Sequence, residues 1–166
     1  MQTETLATSS TPTVNHSTFV IERVFTAKPA RVFASFADPA RKKYWFTEGY
    51  NKVSNSFAMD FRVGGSEIFR YHYGEGSPIA GMTIVNQGIF QDIVPDRRIV
   101  NASTMSAGGK YFSASLTTFE LLPEDSGTKL IFTFQGAFFE GADGPQTREM
   151  GWNKLIDRIG EELTRA

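Results

Sequence analysis

The hydrophobic pattern changes from a two-residue period over much of the chain to a helical period near its C-terminus. Residues 57–63 alternate apolar and polar side chains, as a half-exposed strand does. Trp152, Leu155, Ile156, Ile159 and Leu163 recur at helical spacing and form one apolar stripe. The pattern therefore predicts an α+β protein whose long C-terminal helix buries this stripe against a sheet.

Turn signals divide the rest of the chain into two short helices and a series of strands. The β-branched and aromatic residues of segment 18–26 predict the first strand. Two short helices follow, from Pro29 to about Ala37 and from Pro39 to about Phe46, with Asp38 as the N-cap of the second. Further strands are predicted at 57–63, 66–73, 82–94, 98–104, 111–122 and 128–137. Because tight turns join consecutive strands, the sheet should be antiparallel.

Two details of this scheme concern charged side chains in the first hairpin. Gly64-Gly65 is typical of a two-residue turn, since both positions accept a positive φ. Such a turn would place Arg62 opposite Glu67, so Asp60 and Arg62 are expected to form a structural ion pair beside the turn with Glu67 as its third member. Asp60 and Arg62 could alternatively bind an anion or act as an acid and a base.

The last helix should begin at a capping box and expose its charged residues. Asp143 is expected to be the N-cap, with Gln146 completing the box. Arg148 and Glu162 lie off the apolar stripe and are assigned to the solvent face.

Length and composition narrow the class of protein. The 166 residues suit one domain, which we place at 18–166 after a flexible polar tail at 1–17. Lys and Arg total 17 and Asp and Glu total 18, so no basic excess supports nucleic-acid binding. The chain has no Cys and only two His, and neither a metal nor another cofactor is expected. No stretch approaches the ~18 apolar residues of a membrane span. The protein is expected to be cytoplasmic.

Several short motifs, taken in order, resemble one known family. They are Ile21-Glu22-Arg23-Val24-Phe25, Pro29-x-x-Val32-Phe33, Asp38-Pro39 with Trp45-Phe46, Asp60-x-Arg62-x-Gly64-Gly65, residues 92–100, Gly127-Thr128-Lys129-Leu130, Gln135-Gly136-Ala137-Phe138 and Gly151-Trp152. They are similar to bacterial proteins related to the C-terminal domain of the heat-shock-protein-90 ATPase activator, in the START and polyketide-cyclase-like SRPBCC superfamily. The resemblance covers roughly residues 19–163. It implies a helix-grip fold, in which a curved antiparallel sheet of about six or seven strands wraps around the long helix.

The resemblance also implies a cavity between sheet and helix, and the 15 Phe residues suit its walls. The candidate ligand-binding side chains are Trp45, Phe69, Tyr71, Phe90, Phe119, Phe134, Trp152, Leu155, Ile156 and Ile159. Arg23 and Arg62 are candidates for orienting a ligand, and the Tyr71 hydroxyl could do the same. The alternative for all the apolar positions is ordinary core packing.

Three functions are compatible with these features. The favoured one is binding of a small lipophilic or aromatic molecule by a monomer or homodimer. The second is an enzyme of cyclase, dehydratase or hydrolase type, for which no catalytic residue is assigned, since His72 has no partner at a triad spacing. The third is a co-chaperone-like interaction module with a chaperone as its partner. Titratable residues converging inside the cavity would favour the enzyme.

Overall fold

The computed structural model describes residues 13–49 and 52–165, so most of the predicted tail lies outside the described residues. The strands are β1 (Asn15–Phe25), β2 (Lys52–Met59), β3 (Ser66–Tyr73), β4 (Thr83–Val94), β5 (Arg98–Ala107), β6 (Lys110–Glu124) and β7 (Gly127–Phe138). The helices are α1 (Pro29–Ala37), α2 (Pro39–Phe46) and α3 (Pro145–Leu163). The predicted element order is confirmed, and β1 begins three residues before the predicted start at Thr18.

The seven strands form one curled antiparallel half-barrel in the order β1-β7-β6-β5-β4-β3-β2. The first and second strands in the chain are therefore the two edges of the sheet, and the remaining neighbours are consecutive hairpins. α3 lies in the concave face, and its backbone is close to α2, β1 and α1. This arrangement confirms the predicted α+β helix-grip fold with two short helices after the first strand.

The two short helices form as their local sequence predicts. Pro29 occupies the first turn of α1, where a missing N–H costs nothing, and Val32 and Phe36 are buried on one face. The Asp38 carboxylate accepts a hydrogen bond of 2.9 Å from the Ala40 N–H and caps α2. Together these helices pack against α3 and against strands of the sheet, and they carry aromatic residues into the interior.

Aromatic rings fill much of the space between sheet and helix. Phe19 on β1 stacks on Phe134 of β7 at 4.7 Å between ring centroids. Phe132 lies 4.9 Å from Phe119 and 4.5 Å from Trp152 of α3. Contacts of this kind stabilise the core beyond the apolar area they bury. No helix in residues 13–49 or 52–165 is long and apolar enough to cross a membrane.

The first hairpin differs from its prediction. β2 ends at Met59, which pairs with Glu67, and residues 60–65 form a longer loop. The loop is held by β4, since the Gly64 N–H donates to the Phe90 carbonyl at 2.8 Å and the Phe90 N–H donates to the Gly65 carbonyl at 3.0 Å. The predicted pairing of Arg62 with Glu67 is therefore wrong.

The charged residues of α3 also differ from their prediction. Gly144 is the N-cap, and the Asp143 carboxylate instead accepts hydrogen bonds of 2.8 and 2.7 Å from Arg148. Arg148 is buried because its guanidinium lies over the rings of Phe134 and Phe138. Glu162 is also buried, with a side chain 1% exposed. The predicted capping box and the solvent-facing positions of Arg148 and Glu162 are wrong.

Candidate functional site

A buried ion pair joins α2 to β3. Lys42 is one helical turn before Trp45 and Phe46, so the helical period places it on the buried face of α2. Glu67 shares the inward face of β3 with Phe69 and Tyr71, because alternate residues of a strand point the same way. The Lys42 Nζ lies 3.3 Å from the Glu67 Oε2, and the two side chains are only 6% and 10% exposed.

Aromatic rings surround the Lys42 ammonium. Its Nζ lies 4.5 Å from the Trp45 ring centroid, 4.6 Å from that of Phe46 and 5.7 Å from that of Phe36. Ring faces attract a cation at these distances. Burial nevertheless lowers the pKa of Lys42, and the Glu67 carboxylate offsets this effect only in part. Lys42 is therefore more readily deprotonated than a surface lysine.

A small cavity borders this ion pair. Its volume is about 20 Å³, enough for about one water molecule. Its polar lining consists of Lys42, Glu67, Asn86, Asn101, Ser103 and Thr117, and its apolar lining is mostly aromatic. The sequence predicted an apolar cavity between sheet and helix. The structure has a small cavity of mixed polarity there, because polar side chains line part of it and aromatic side chains fill the space around it.

Two polar atoms at this cavity lack hydrogen bonds. Within the described residues, the buried Glu67 Oε2 and Asn101 Nδ2 have no hydrogen-bond partner, and the Lys42 contact with that oxygen lacks hydrogen-bond alignment. A buried polar group without a partner is costly, so such groups mark places where a further molecule can bind. One acceptor and one donor therefore remain available at the same cavity.

The Asn101 amide depends on a glycine on the neighbouring strand. A Cβ at Gly88 of β4 would clash with the Asn101 Oδ1, since it would lie closer than non-bonded atoms approach each other. The absence of a side chain at Gly88 thus leaves the space that the amide occupies. The backbone carbonyl of Asn101 accepts a hydrogen bond of 3.4 Å from the Thr117 hydroxyl.

Part of the predicted ligand-binding set meets at this site. Phe90, Phe119 and Trp152 line the cavity, and Trp45 contacts the Lys42 ammonium. The Phe69 ring lies 5.7 Å from the ring of Phe46, which lines the cavity. Trp45 and Phe69 are not themselves part of the lining. Neither are the remaining predicted residues, which belong to the hydrophobic core or pack against it: Tyr71, Phe134, Leu155, Ile156 and Ile159.

Tyr71 lies farther along the concave face. Its ring stacks on that of Phe69 at 4.5 Å between centroids and lies 5.8 Å from that of Tyr73. Burial and the neighbouring Tyr73 raise the pKa of Tyr71, so its hydroxyl stays protonated. Tyr71 is buried as predicted but is not part of the cavity lining.

The two arginines predicted to orient a ligand have other partners. Arg23 donates hydrogen bonds of 2.9 Å to Asn153 and 3.4 Å to Asp157, and so links β1 to α3. Arg62 forms a 2.7 Å ion pair with Asp60 in the exposed loop. Neither lines the cavity.

Sequence reasoning missed Lys42, Glu67 and Asn101. Lys42 was identifiable from its spacing to Trp45 and Phe46, and Glu67 from its alternation with Phe69. Asn101 gave no such signal, because its environment depends on Gly88 of another strand. In the described part of the chain, no three His, Asp or Glu residues are grouped as metal ligands are.

The half-barrel closed by a long C-terminal helix defines the SRPBCC class of proteins. Residues 26–164 match the family described as Activator of Hsp90 ATPase homolog 1-like protein. The chain belongs to this family, which confirms the resemblance seen in the sequence motifs. No curated protein matches the chain.

Solved structures of similar proteins agree with this assignment. The Mll3558 protein of Rhizobium loti is 45% identical, with a TM-score of 0.80, over 90% of this chain and 98% of that one. A putative uncharacterized protein of Rhizobium leguminosarum is 33% identical, with a TM-score of 0.85, over 92% of this chain and 97% of that one. An AHSA1-like protein of Aeromonas hydrophila, 17% identical over 89% of this chain and 92% of that one, has a TM-score of 0.62 and shares the fold.

Proposed function

We propose that this protein binds a small molecule with an aromatic or other apolar body and a hydroxyl or carbonyl group, in the interior between sheet and α3. The observation that carries the proposal is the presence at one cavity of two buried polar atoms without an aligned hydrogen bond, Glu67 Oε2, whose one charged neighbour is the Lys42 ammonium, and Asn101 Nδ2. A hydroxyl group can donate to the former and accept from the latter. Lys42 supplies a further donor beside them.

The size of the cavity limits how such a molecule can enter. A space of about 20 Å³ holds about one water molecule, so a ligand must displace aromatic side chains. Phe46 and Trp152, which stack at 6.3 Å between centroids, form part of the wall. Trp152 is half-buried, so part of its side chain already borders solvent, into which the ring can move.

A second candidate function is acid–base catalysis at the same site. The observation favouring it is that Lys42, with its lowered pKa, lies 3.3 Å from Glu67. Paired titratable groups with a perturbed pKa in a cavity are typical of active sites, although structural ion pairs produce the same signal. The corresponding reaction class is proton transfer to and from a bound molecule. A chaperone-binding role is supported by the family description alone.

Native mass spectrometry of gently purified protein, repeated after denaturation, tests the binding proposal. We expect an added mass that disappears on denaturation and is lost in a Lys42→Met/Glu67→Gln double variant. Lys43→Met is the matched control, because Lys43 is an exposed lysine of the same helix and should retain the added mass.

If the purified protein carries no ligand, a fragment screen by ligand-observed NMR replaces the first step. Small phenols and aromatic ketones should bind to the wild type and to Lys43→Met, and at least about tenfold more weakly to the double variant. Fragments that bind the double variant equally well, or no binding at millimolar concentration, would contradict the proposal.

A further inference from the structure

The Lys42 amine has the surroundings of a nucleophile as well as those of an ion-pair partner. Lys42 lines the interior cavity, and its side chain is only 6% exposed. Burial disfavours the charged ammonium and lowers the pKa of Lys42, so more of this amine is uncharged at neutral pH than in a surface lysine. An uncharged lysine amine in a largely apolar pocket adds readily to the carbon atom of a carbonyl group.

Glu67 can accept and return the protons that such an addition requires. Its Oε2 lies 3.3 Å from the Lys42 Nζ and has no hydrogen-bond partner among the described residues. The ammonium can pass a proton to this carboxylate, which neutralises both groups in a place where charge is costly. An uncharged amine then lies beside a carboxylic acid, so one bound molecule has a nucleophile and a general acid within reach.

Asn101 supplies a hydrogen-bond donor for the oxygen of a carbonyl compound. It lines the same cavity, and its buried Nδ2 has no hydrogen-bond partner in the part of the chain that the structure describes. A donor at this oxygen makes the carbonyl carbon more electrophilic and stabilises the negative charge that develops on the oxygen during addition. The cavity, at about 20 Å³, also has room for the one water molecule that imine formation releases.

We propose that Lys42 is a covalent binding site for a small aromatic aldehyde or ketone, with which its amine forms an imine. This inference rests on the proposed function and narrows the ligand from a hydroxyl or carbonyl compound to a carbonyl compound. A carbonyl group accepts a hydrogen bond from Asn101 and reacts with Lys42, whereas a hydroxyl compound binds at the same place without reacting. Phe46 and Phe119 line the cavity and suit an aromatic body on the carbonyl carbon.

The reaction balances within the ion pair and the ligand. Glu67 takes a proton from the Lys42 ammonium, and the nitrogen lone pair forms the C–N bond while the carbonyl π electrons move to the oxygen. This oxygen takes the proton from Glu67, and the added nitrogen returns a proton to the carboxylate. The new hydroxyl group takes that proton and leaves as water with the C–O electron pair, while the nitrogen lone pair completes the C=N bond. The product is a protonated imine beside the Glu67 carboxylate, so the ion pair is retained.

Reductive trapping of the wild-type protein with benzaldehyde and sodium cyanoborohydride tests this inference, because the hydride converts an imine to a stable benzylamine. Peptide mapping by mass spectrometry then locates the benzyl group. At pH 7 we expect Lys42 to be modified at least about tenfold faster than Lys43, an exposed lysine of the same helix. Benzyl alcohol, which has the same ring and no carbonyl group, should slow modification of Lys42 and leave that of Lys43 unchanged.

Lys52 is the internal control for a lowered pKa without the site. Burial is the main cause that lowers the pKa of Lys52 to about 8. Lys52 is not part of the cavity lining, and it pairs with Tyr73, at the opposite end of β3 from Glu67. Modification of Lys52 or Lys43 as fast as that of Lys42 would overturn the inference, because the cavity and its carboxylate would then confer no special reactivity.

Ligand-observed NMR with the same two compounds separates this inference from the proposed function. If benzyl alcohol and benzaldehyde bind to the wild type but Lys42 is not modified preferentially, covalent capture is wrong and non-covalent binding in the interior stands. If neither compound binds and Lys42 is not modified, the proposed function fails, and the inference with it. Preferential modification of Lys42 that benzyl alcohol slows would support both.

Discussion

At the scale of single residues, the buried Lys42–Glu67 pair sets the chemistry of the interior. A buried pair gains Coulomb attraction and loses hydration, so its net contribution to stability is small. Removing only one partner is different, because it leaves the other without compensation. The pair therefore fixes two residues to each other without making either of them a major source of folding energy.

This argument predicts a non-additive double-mutant cycle. Lys42→Met should lower the free energy of unfolding by about 3 kcal/mol, because Glu67 stays buried without its partner. Adding Glu67→Gln should recover most of that loss, since the remaining amide carries no charge. Urea unfolding at neutral pH measures both effects.

The exposed pair of Arg62 and Asp60 provides the control for this cycle. Arg62→Ala should change stability by no more than about 0.5 kcal/mol, because both side chains are more than half exposed. If the double variant at Lys42 and Glu67 instead loses the sum of the two single losses, the residues act independently, and the ion-pair interpretation fails.

At the scale of elements, α3 is anchored at both ends by charged residues. Near its start, Arg148 bonds to Asp143 and donates a 3.1 Å hydrogen bond to the Ser113 hydroxyl of β6. In its last turn, Glu162 accepts hydrogen bonds from Arg31 of α1 at 3.0 Å and from Arg41 of α2 at 2.8 Å. These contacts fix the helix relative to the sheet and to the two short helices.

The Glu162 contacts predict that the attachment of α3 weakens in acid. Burial tends to raise the pKa of Glu162, but hydrogen bonds from Arg31, Ser35 and Arg41 outweigh it, so the pKa lies below 4.5. A carboxylate with a lowered pKa stabilises the fold above its unfolded pKa, and this stabilisation is lost as the pH falls through the folded pKa.

Glu162→Gln should therefore cost about 2 kcal/mol at pH 7. The difference from wild type should shrink as the pH falls below about 4.5. Urea unfolding across this range measures it, with Glu161→Gln as the control, because Glu161 is 59% exposed and should have little effect. A constant difference between Glu162→Gln and wild type at all pH values would show that the carboxylate charge is not what holds the helix.

The helices and strands were largely predictable from the sequence. The contacts between charged residues of different elements were not. Local signals such as the Asp38 cap and the period of the α3 stripe give the element order and most boundaries. The partners of Glu162 lie 121 and 131 residues away in the chain, so no local pattern identifies them. The prediction for the first hairpin was wrong for the same reason, because its loop is held by hydrogen bonds to Phe90, a distant residue on β4.

At the scale of the whole molecule, the question is how much of the interior is open. The abundance of Phe indicated an aromatic interior, but cavity volume depends on how rings from four or more elements interlock. That is why Phe90, Phe119 and Trp152 were predicted at the site while its small size and polar side were not. Binding in such an interior requires that one aromatic ring can move out of its position while the sheet and the helices around it keep theirs.

Trp152→Ala tests whether the interior can stay open. Removing the ring deletes contacts with Phe132, Phe119 and Phe46, and should cost about 3 kcal/mol of stability. If sheet, α2 and α3 keep their positions, the variant contains an indole-sized space next to the existing cavity. Indole at millimolar concentration should then bind and raise the Tm of the variant, since a ligand that binds only the folded state stabilises it.

Phe134→Ala is the matched control, because Phe134 stacks on Phe19 and does not line the cavity. It should lose about as much stability as Trp152→Ala, yet indole should raise its Tm by less. A similar indole response in both variants would mean that any lost ring creates a binding space. No response in either would mean that α3 closes onto the sheet once Trp152 is gone. A selective response of Trp152→Ala would instead show that the frame of sheet and helices holds a space at the Lys42–Glu67 end, as interior binding requires.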